Sequence, residues 1–195
     1  MRTYTHPDEL RVRDRLADAA KAGDWITVFA VLDEHPEWVN SPRPGSSKRY
    51  APLHQAAWHN APVDVVERLL HLGAWRTLRN GAGHMPFIVA AIHDHDDLAE
   101  FLRPEIRHPL SYEVIADLQA SLYDLIARYD RMASKRLNLP EIKVLTELEQ
   151  PRYSIRLNGG SFLIELRGDH LAVAALDKGY GTAVYRIDLD GIHQQ

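Results

Sequence analysis

The sequence predicts an α+β chain in which an N-terminal array of about three helical hairpins is followed by a long helix and a small antiparallel β-meander. Three observations carry that reading. A unit of 34 residues is written twice between Ala51 and Ile106: Pro52 and Pro86, Leu53 and Phe87, and Ala56-Ala57 and Ala90-Ala91 all stand 34 apart. Beyond Pro109 the apolar residues keep helical spacing for about two dozen positions, and from Tyr153 the period changes to two. The expected division is 1–106 for the repeats and 107–195 for the remainder, packed on the repeats.

Pro7-Asp8 opens a first helix that runs to about Ala22. Asp24 is placed to cap a second, Trp25 to Glu34, whose apolar face is Val28, Val31 and Leu32, and Pro36 stops it. Ser41 to Tyr50, rich in Pro, Gly and Ser, is a loop by composition. Each repeat then needs a short helix, a tight reversal and a second helix. Pro52 and Pro86 open the short helices, because a missing N–H costs nothing at the first helical position. The Ala-Ala pairs allow close approach. At the reversal the backbone must turn left-handed, and the residues there are Asn60 and Asp94, two of the types besides glycine that tolerate it. Upstream, Ala19-Ala20-Lys21-Ala22-Gly23 puts Gly23 in the same register, which predicts a third unit. The loop from Ser41 lengthens the step between Ala-Ala motifs to 37.

A period of 34 with Pro52-Leu53-His54-Gln55-Ala56-Ala57 at its start resembles the ankyrin repeat, over residues from about 10 to 106. The match is diverged. Ala51 and Met85 stand where that family usually has threonine, so a hydroxyl cap of about 1 kcal/mol is missing from each. Ile88 replaces the histidine in the second copy, and the hairpin at Asn60-Ala61-Pro62 has one extra residue. The resemblance implies binding through the turn tips and the exposed ends of the first helices. Carried over position by position, that face comprises Lys48, Tyr50, Trp58, His59, Arg79, His84, Ile92 and His93. It is aromatic, imidazole and cationic, without a carboxylate, and Trp, Tyr and Arg are enriched at interface hot spots.

Pro109, Ser111 and Glu113 begin the long helix, with Val114, Leu118, Leu122, Leu125, Ile126, Tyr129 and Met132 on one face. Lys135 to Pro140 turns the chain, and Glu141 to Glu149 is expected to be helical. Four strand-like runs follow: Tyr153 to Leu157, Phe162 to Leu166, Leu171 to Leu176 and Ala183 to Ile187. They are separated by Asn158-Gly159-Gly160, Gly168-Asp169 and Lys178-Gly179-Tyr180-Gly181. This part is loosely similar to strand-rich tails behind ankyrin-like repeats in bacterial proteins.

The chemistry-bearing motifs are few. With no cysteine there is no thiolate metal site and no thiol nucleophile. Gly-x-Ser-x-Gly, a phosphate-cradling loop and His-Glu-x-x-His are all missing. His93-Asp94-His95-Asp96-Asp97 has metal-ligating residue types, but histidines two apart across a reversal face different ways, so no metal is expected. Nucleic-acid binding is disfavoured, because the Arg43 to Tyr50 loop, with Lys48-Arg49-Tyr50, is one basic loop on a chain of net charge −4. No apolar leader and no run of 18 apolar residues are present, which gives the expectation of a soluble, cytoplasmic, bacterial protein. The leading functional reading is therefore a non-enzymatic recognition protein with no cofactor. It would bind another protein that presents an acidic, partly apolar patch, for example as an immunity or antitoxin-like protein. The alternative is a small enzyme or ligand-binding module in the C-terminal part, using Tyr123, Tyr129, Tyr153, Arg156 and Tyr180. Pairing of two copies through a terminal cap is a third arrangement.

Overall fold

The computed structural model of the chain describes residues 7–129, 141–157, 160–177 and 181–195. They divide into two compact units, one reaching Pro104 and the other beginning at Glu105.

The first unit contains three helical hairpins: α1 (Pro7–Ala22) with α2 (Trp25–Glu34), α3 (Pro52–Trp58) with α4 (Val63–His71), and α5 (Pro86–Ile92) with α6 (Asp96–Phe101). All three reverse in the same way. Gly23, Asn60 and Asp94 have φ of 73°, 48° and 58°, so the left-handed residue falls where the repeat register requires it. The next N–H reaches back to the first alanine of each pair: Asp24 to Ala19 at 2.9 Å, Ala61 to Ala56 and His95 to Ala90 at 3.0 Å. These are the six-to-one bonds that close a helix C-terminus, and they satisfy carbonyls the helix itself leaves unpaired.

α3 packs against both α1 and α5, so the first helices form one layer. Leu16, Leu32, Leu53, Leu69 and Leu102 fill the core beside Ala56, Ala57 and Ala90, none more than 2 % exposed. Ala91, in register with Ala57, is exposed. Within the first unit α5 packs beside α3, and no further hairpin follows α6. Between the second helices, Arg68 of α4 holds Asp33 of α2 at 2.8 Å and lies 4.1 Å from the Phe29 ring. Asn40 performs the same service for the return turn, donating to the Gly73 carbonyl at 2.7 Å and accepting the Trp75 N–H at 2.9 Å. Asp24 caps α2 by accepting the Thr27 N–H at 3.1 Å.

In the second unit, Ser111 caps α7 (Tyr112–Tyr129), its Oγ accepting the Val114 N–H at 3.3 Å. Leu118, Leu122, Leu125 and Ile126 of α7 are fully buried. The helix lies against a five-stranded antiparallel sheet in the order β1 (Arg152–Arg156), β2 (Gly160–Arg167), β3 (His170–Asp177), β4 (Gly181–Asp188), β5 (Gly191–Gln194). The register sets Tyr153, Ile164, Val173 and Tyr185 in one cross-strand row and Ile155, Phe162, Ala175 and Ala183 in another. That is the face the period of two predicts as buried.

Two expectations need correction. Glu141 to Glu149 is not an α-helix: only Ile142–Thr146 coils, as a 3-10 turn. Gln119 Oε1 takes the Ile142 N–H at 2.6 Å, and the Thr146 carbonyl accepts from Arg107 and His108 at 2.8 and 2.9 Å. Both ends of the stretch are thus engaged elsewhere, and Ile142, Val144 and Leu145 are fully buried. Second, the meander has a fifth strand that pairs with β4 through a two-residue turn at Leu189-Asp190. Met132, the segment from Lys135 to Pro140, Asn158-Gly159 and Lys178-Gly179-Tyr180 lie outside the described residues.

Candidate protein-binding face

The missing threonine caps are replaced in only one repeat. Ala51 and Met85 at the helix N-termini make no side-chain cap bond. In the first copy His54 substitutes for it. Its Nδ1 accepts the Ala51 N–H at 3.3 Å, while Nε2–H donates to the His84 carbonyl at 3.2 Å, tying α3 to the next turn tip. The ring is fully buried, and burial pushes its pKa down to about 4 despite hydrogen bonds to the His84 and Leu78 backbone. His54 is thus a neutral structural strut, not a surface ligand.

That turn tip is self-braced. Asn80 Oδ1 accepts from Ala82 and His84 N–H at 2.9 and 3.0 Å, and Asn80 N–H donates to the His84 carbonyl at 2.9 Å. His84 therefore contributes mainly its backbone, with its side chain half-buried, as Arg79 also is.

Of the eight residues assigned from the sequence, three converge. Trp58, 46 % exposed at the end of α3, lies 3.9 Å from the His93 ring and has Tyr50 edge-on at 6.1 Å. Lys48 lies on the same side, where it and Tyr50 and Trp58 line a concavity of about 860 Å³. Ile92 is exposed beyond this cluster at 57 %. His59 turns the other way. Its Nε2–H donates to the Lys21 carbonyl at 2.9 Å, and its ring meets Trp25 edge-on at 6.3 Å. His95 does the equivalent one unit later, donating through Nδ1 to the Ala57 carbonyl at 3.0 Å. In both cases an imidazole from one hairpin satisfies a helix-terminal carbonyl of the hairpin before it. With His95 so engaged and His93 against Trp58, the two rings stay 6.1 Å apart. Among the described residues no group of three potential ligands converges on a metal position.

The concavity also contains residues not assigned to the binding face from the sequence: Lys21, Arg43, Ser46, Ser47 and Gln55. A signal for one of them existed. Lys21 stands two residues before Gly23, as Trp58 stands before Asn60 and Ile92 before Asp94, so the register itself assigns Lys21 to the exposed column. Arg43 had none, because its place depends on how the long loop folds back.

Residues 49–81 match the family model for the ankyrin repeat. The chain carries a diverged ankyrin repeat. The match spans α3, α4 and the turn that follows, and the flanking hairpins are joined to it by the shared left-handed reversals described above. No curated protein matches the chain. Ankyrin repeats are typically protein–protein interaction modules, and the match at residues 49–81 supports that class for the repeat it covers.

The tyrosines of the second unit are arranged differently. Tyr153 is buried, and that burial, reinforced by Tyr123, raises its phenol pKa well above the ordinary range. Tyr129 shares a hydroxyl–hydroxyl bond of 2.8 Å with Tyr185 and meets Phe162 edge-on. Arg156 emerges on the opposite face of β1 from Tyr153. Tyr180 lies outside the described residues. Among the described residues no helix is long and apolar enough to cross a membrane.

Proposed function

We propose that the chain is a recognition protein of the cytoplasm that docks a partner protein on the ankyrin face built around Trp58. The observation that carries this reading is the cluster of Tyr50, Trp58 and His93, a half-exposed aromatic group at the ends of two stacked first helices. A partly exposed tryptophan held on rigid helices is the kind of anchor that dominates interface energetics, because little side-chain entropy remains to be lost on binding. Lys48 beside the cluster, with half-buried Arg79 and His84 nearer the turn tip, favours a partner patch that is acidic and partly apolar. The mechanism is steric and electrostatic and requires no catalytic group. Within that class, an immunity or antitoxin protein that covers a bacterial toxin is the specific form proposed.

Affinity capture with the full chain and with Trp58→Ala tests it. A protein retained by the parent chain and lost by the variant, with both melting alike, supports the face. Retention of the same protein by Trp58→Ala refutes it.

A further inference from the structure

The loop of residues 41–50 is held at both ends, and that changes the shape of the binding face. At one end Arg43 pairs with Asp14, at 3.2 Å, and with Asp18, both on α1. At the other, the Lys48 carbonyl accepts the Gly81 N–H at 2.8 Å, and a Cβ at Gly81 would overlap the Ser47 carbonyl oxygen. The loop therefore straps the first hairpin to the turn tip before the third, passing across the second. An open ankyrin face becomes a walled concavity.

Its volume, about 860 Å³, is that of a site for a few side chains. A docked folded domain needs roughly 800 Å² of surface from each partner, far more than such a hollow presents. Its charge is equally specific. The chain has five lysines, and the two in the repeat half, Lys21 and Lys48, both line this concavity. Neither forms an ion pair among the described residues, and no carboxylate lines the hollow. Arg43 is already engaged by two carboxylates, Asp14 and Asp18, so the two ammonium groups are the lining cations left to meet a ligand. Tyr50 and Trp58 supply the apolar wall, and Gln55 a polar floor.

We infer that the strapped concavity takes a linear acidic segment of the partner protein, its carboxylates meeting Lys21 and Lys48 and a neighbouring apolar side chain resting on Tyr50 and Trp58. This rests on the recognition reading above and narrows it from a surface to a peptide. Exposed ammonium groups act over about 10 Å at 0.1 M salt, so binding weakens as salt rises.

The test is selection of a random linear dodecapeptide library, displayed on phage, against the full chain, with winners re-assayed on the double variant Lys21→Glu/Lys48→Glu. Both side chains are exposed, so the variant keeps the fold. The expected result is enrichment of Asp or Glu next to an aromatic or aliphatic residue, with affinity falling about tenfold or more on the variant. Enrichment of basic or neutral peptides, of none, or of acidic peptides that bind the variant equally well overturns the inference. A partner lost with Trp58→Ala while no acidic peptide is selected leaves the docking face standing and removes the peptide site. Acidic peptides selected while Trp58→Ala keeps its partner do the reverse.

Discussion

His54 gives the sharpest test of the repeat architecture, because one side chain couples the helix start at Ala51 to the turn tip at His84. Its pKa is about 4 in the fold, lowered chiefly by burial, against about 6.5 in an unfolded chain. The unfolded state therefore binds more protons between those values. Stability is complete above the unfolded pKa and declines as pH falls through 6.5 towards 4. Integrating the linkage relation, His54 costs the repeat unit about 2 kcal/mol between pH 8 and pH 5, and about 3 kcal/mol by pH 4. The assay is urea denaturation of the full chain and of His54→Gln, followed by tryptophan fluorescence. All four tryptophans, at 25, 38, 58 and 75, belong to the repeat half, so the signal reports that unit. At pH 8 the variant should be less stable by about 1–3 kcal/mol, the usual cost of disturbing a buried hydrogen bond. The gap should close on acidification by about the 2 kcal/mol above, since glutamine does not titrate. Parallel pH profiles for the two proteins would refute both the buried neutral imidazole and its role as a strut.

Three further outcomes follow from the same geometry. Asn60→Val should destabilise the repeat unit by about 1–2 kcal/mol while Asn60→Gly stays near neutral, because the β-branched valine side chain conflicts with φ of 48° and glycine, lacking Cβ, does not; equal urea midpoints for the pair would contradict the left-handed reversal. Ala57→Leu should cost about 1–3 kcal/mol or more by overpacking a fully buried position, while Ala91→Leu at the exposed equivalent should cost little; similar losses at both would show that the array does not end where described. Gly81→Ala should speed amide hydrogen exchange at position 81 and in residues 46–49, since the strap must move off the added Cβ; unchanged exchange there would mean that the strap is not pinned.

The sequence on its own determined the repeat unit. Its period, its prolines at helix starts and its three left-handed positions are local signals, set by backbone sterics that act within a few residues. The long helix and four of the five strands were legible for the same reason, since their hydrophobic periods differ. The fifth strand was written in Asp190-Gly191 but is too short to carry a period of its own. Glu141 to Glu149 misled, because its backbone bonds go to Gln119, Arg107 and His108 across the fold, where no local pattern points.

The candidate site divides along the same line. Trp58, Tyr50, Lys48 and His93 could be assigned from register, since repeat geometry decides which positions face outward. That His59 faces the neighbouring hairpin was beyond the register, because the Lys21 carbonyl that holds it is 38 residues away. The strap was equally hidden: Arg43 reaches Asp14 and Asp18 across 29 and 25 residues, and Gly81 closes on Lys48 from the next repeat. Local sterics fixed the hairpins, whereas long-range pairing of charges and carbonyls turned an open face into a walled one.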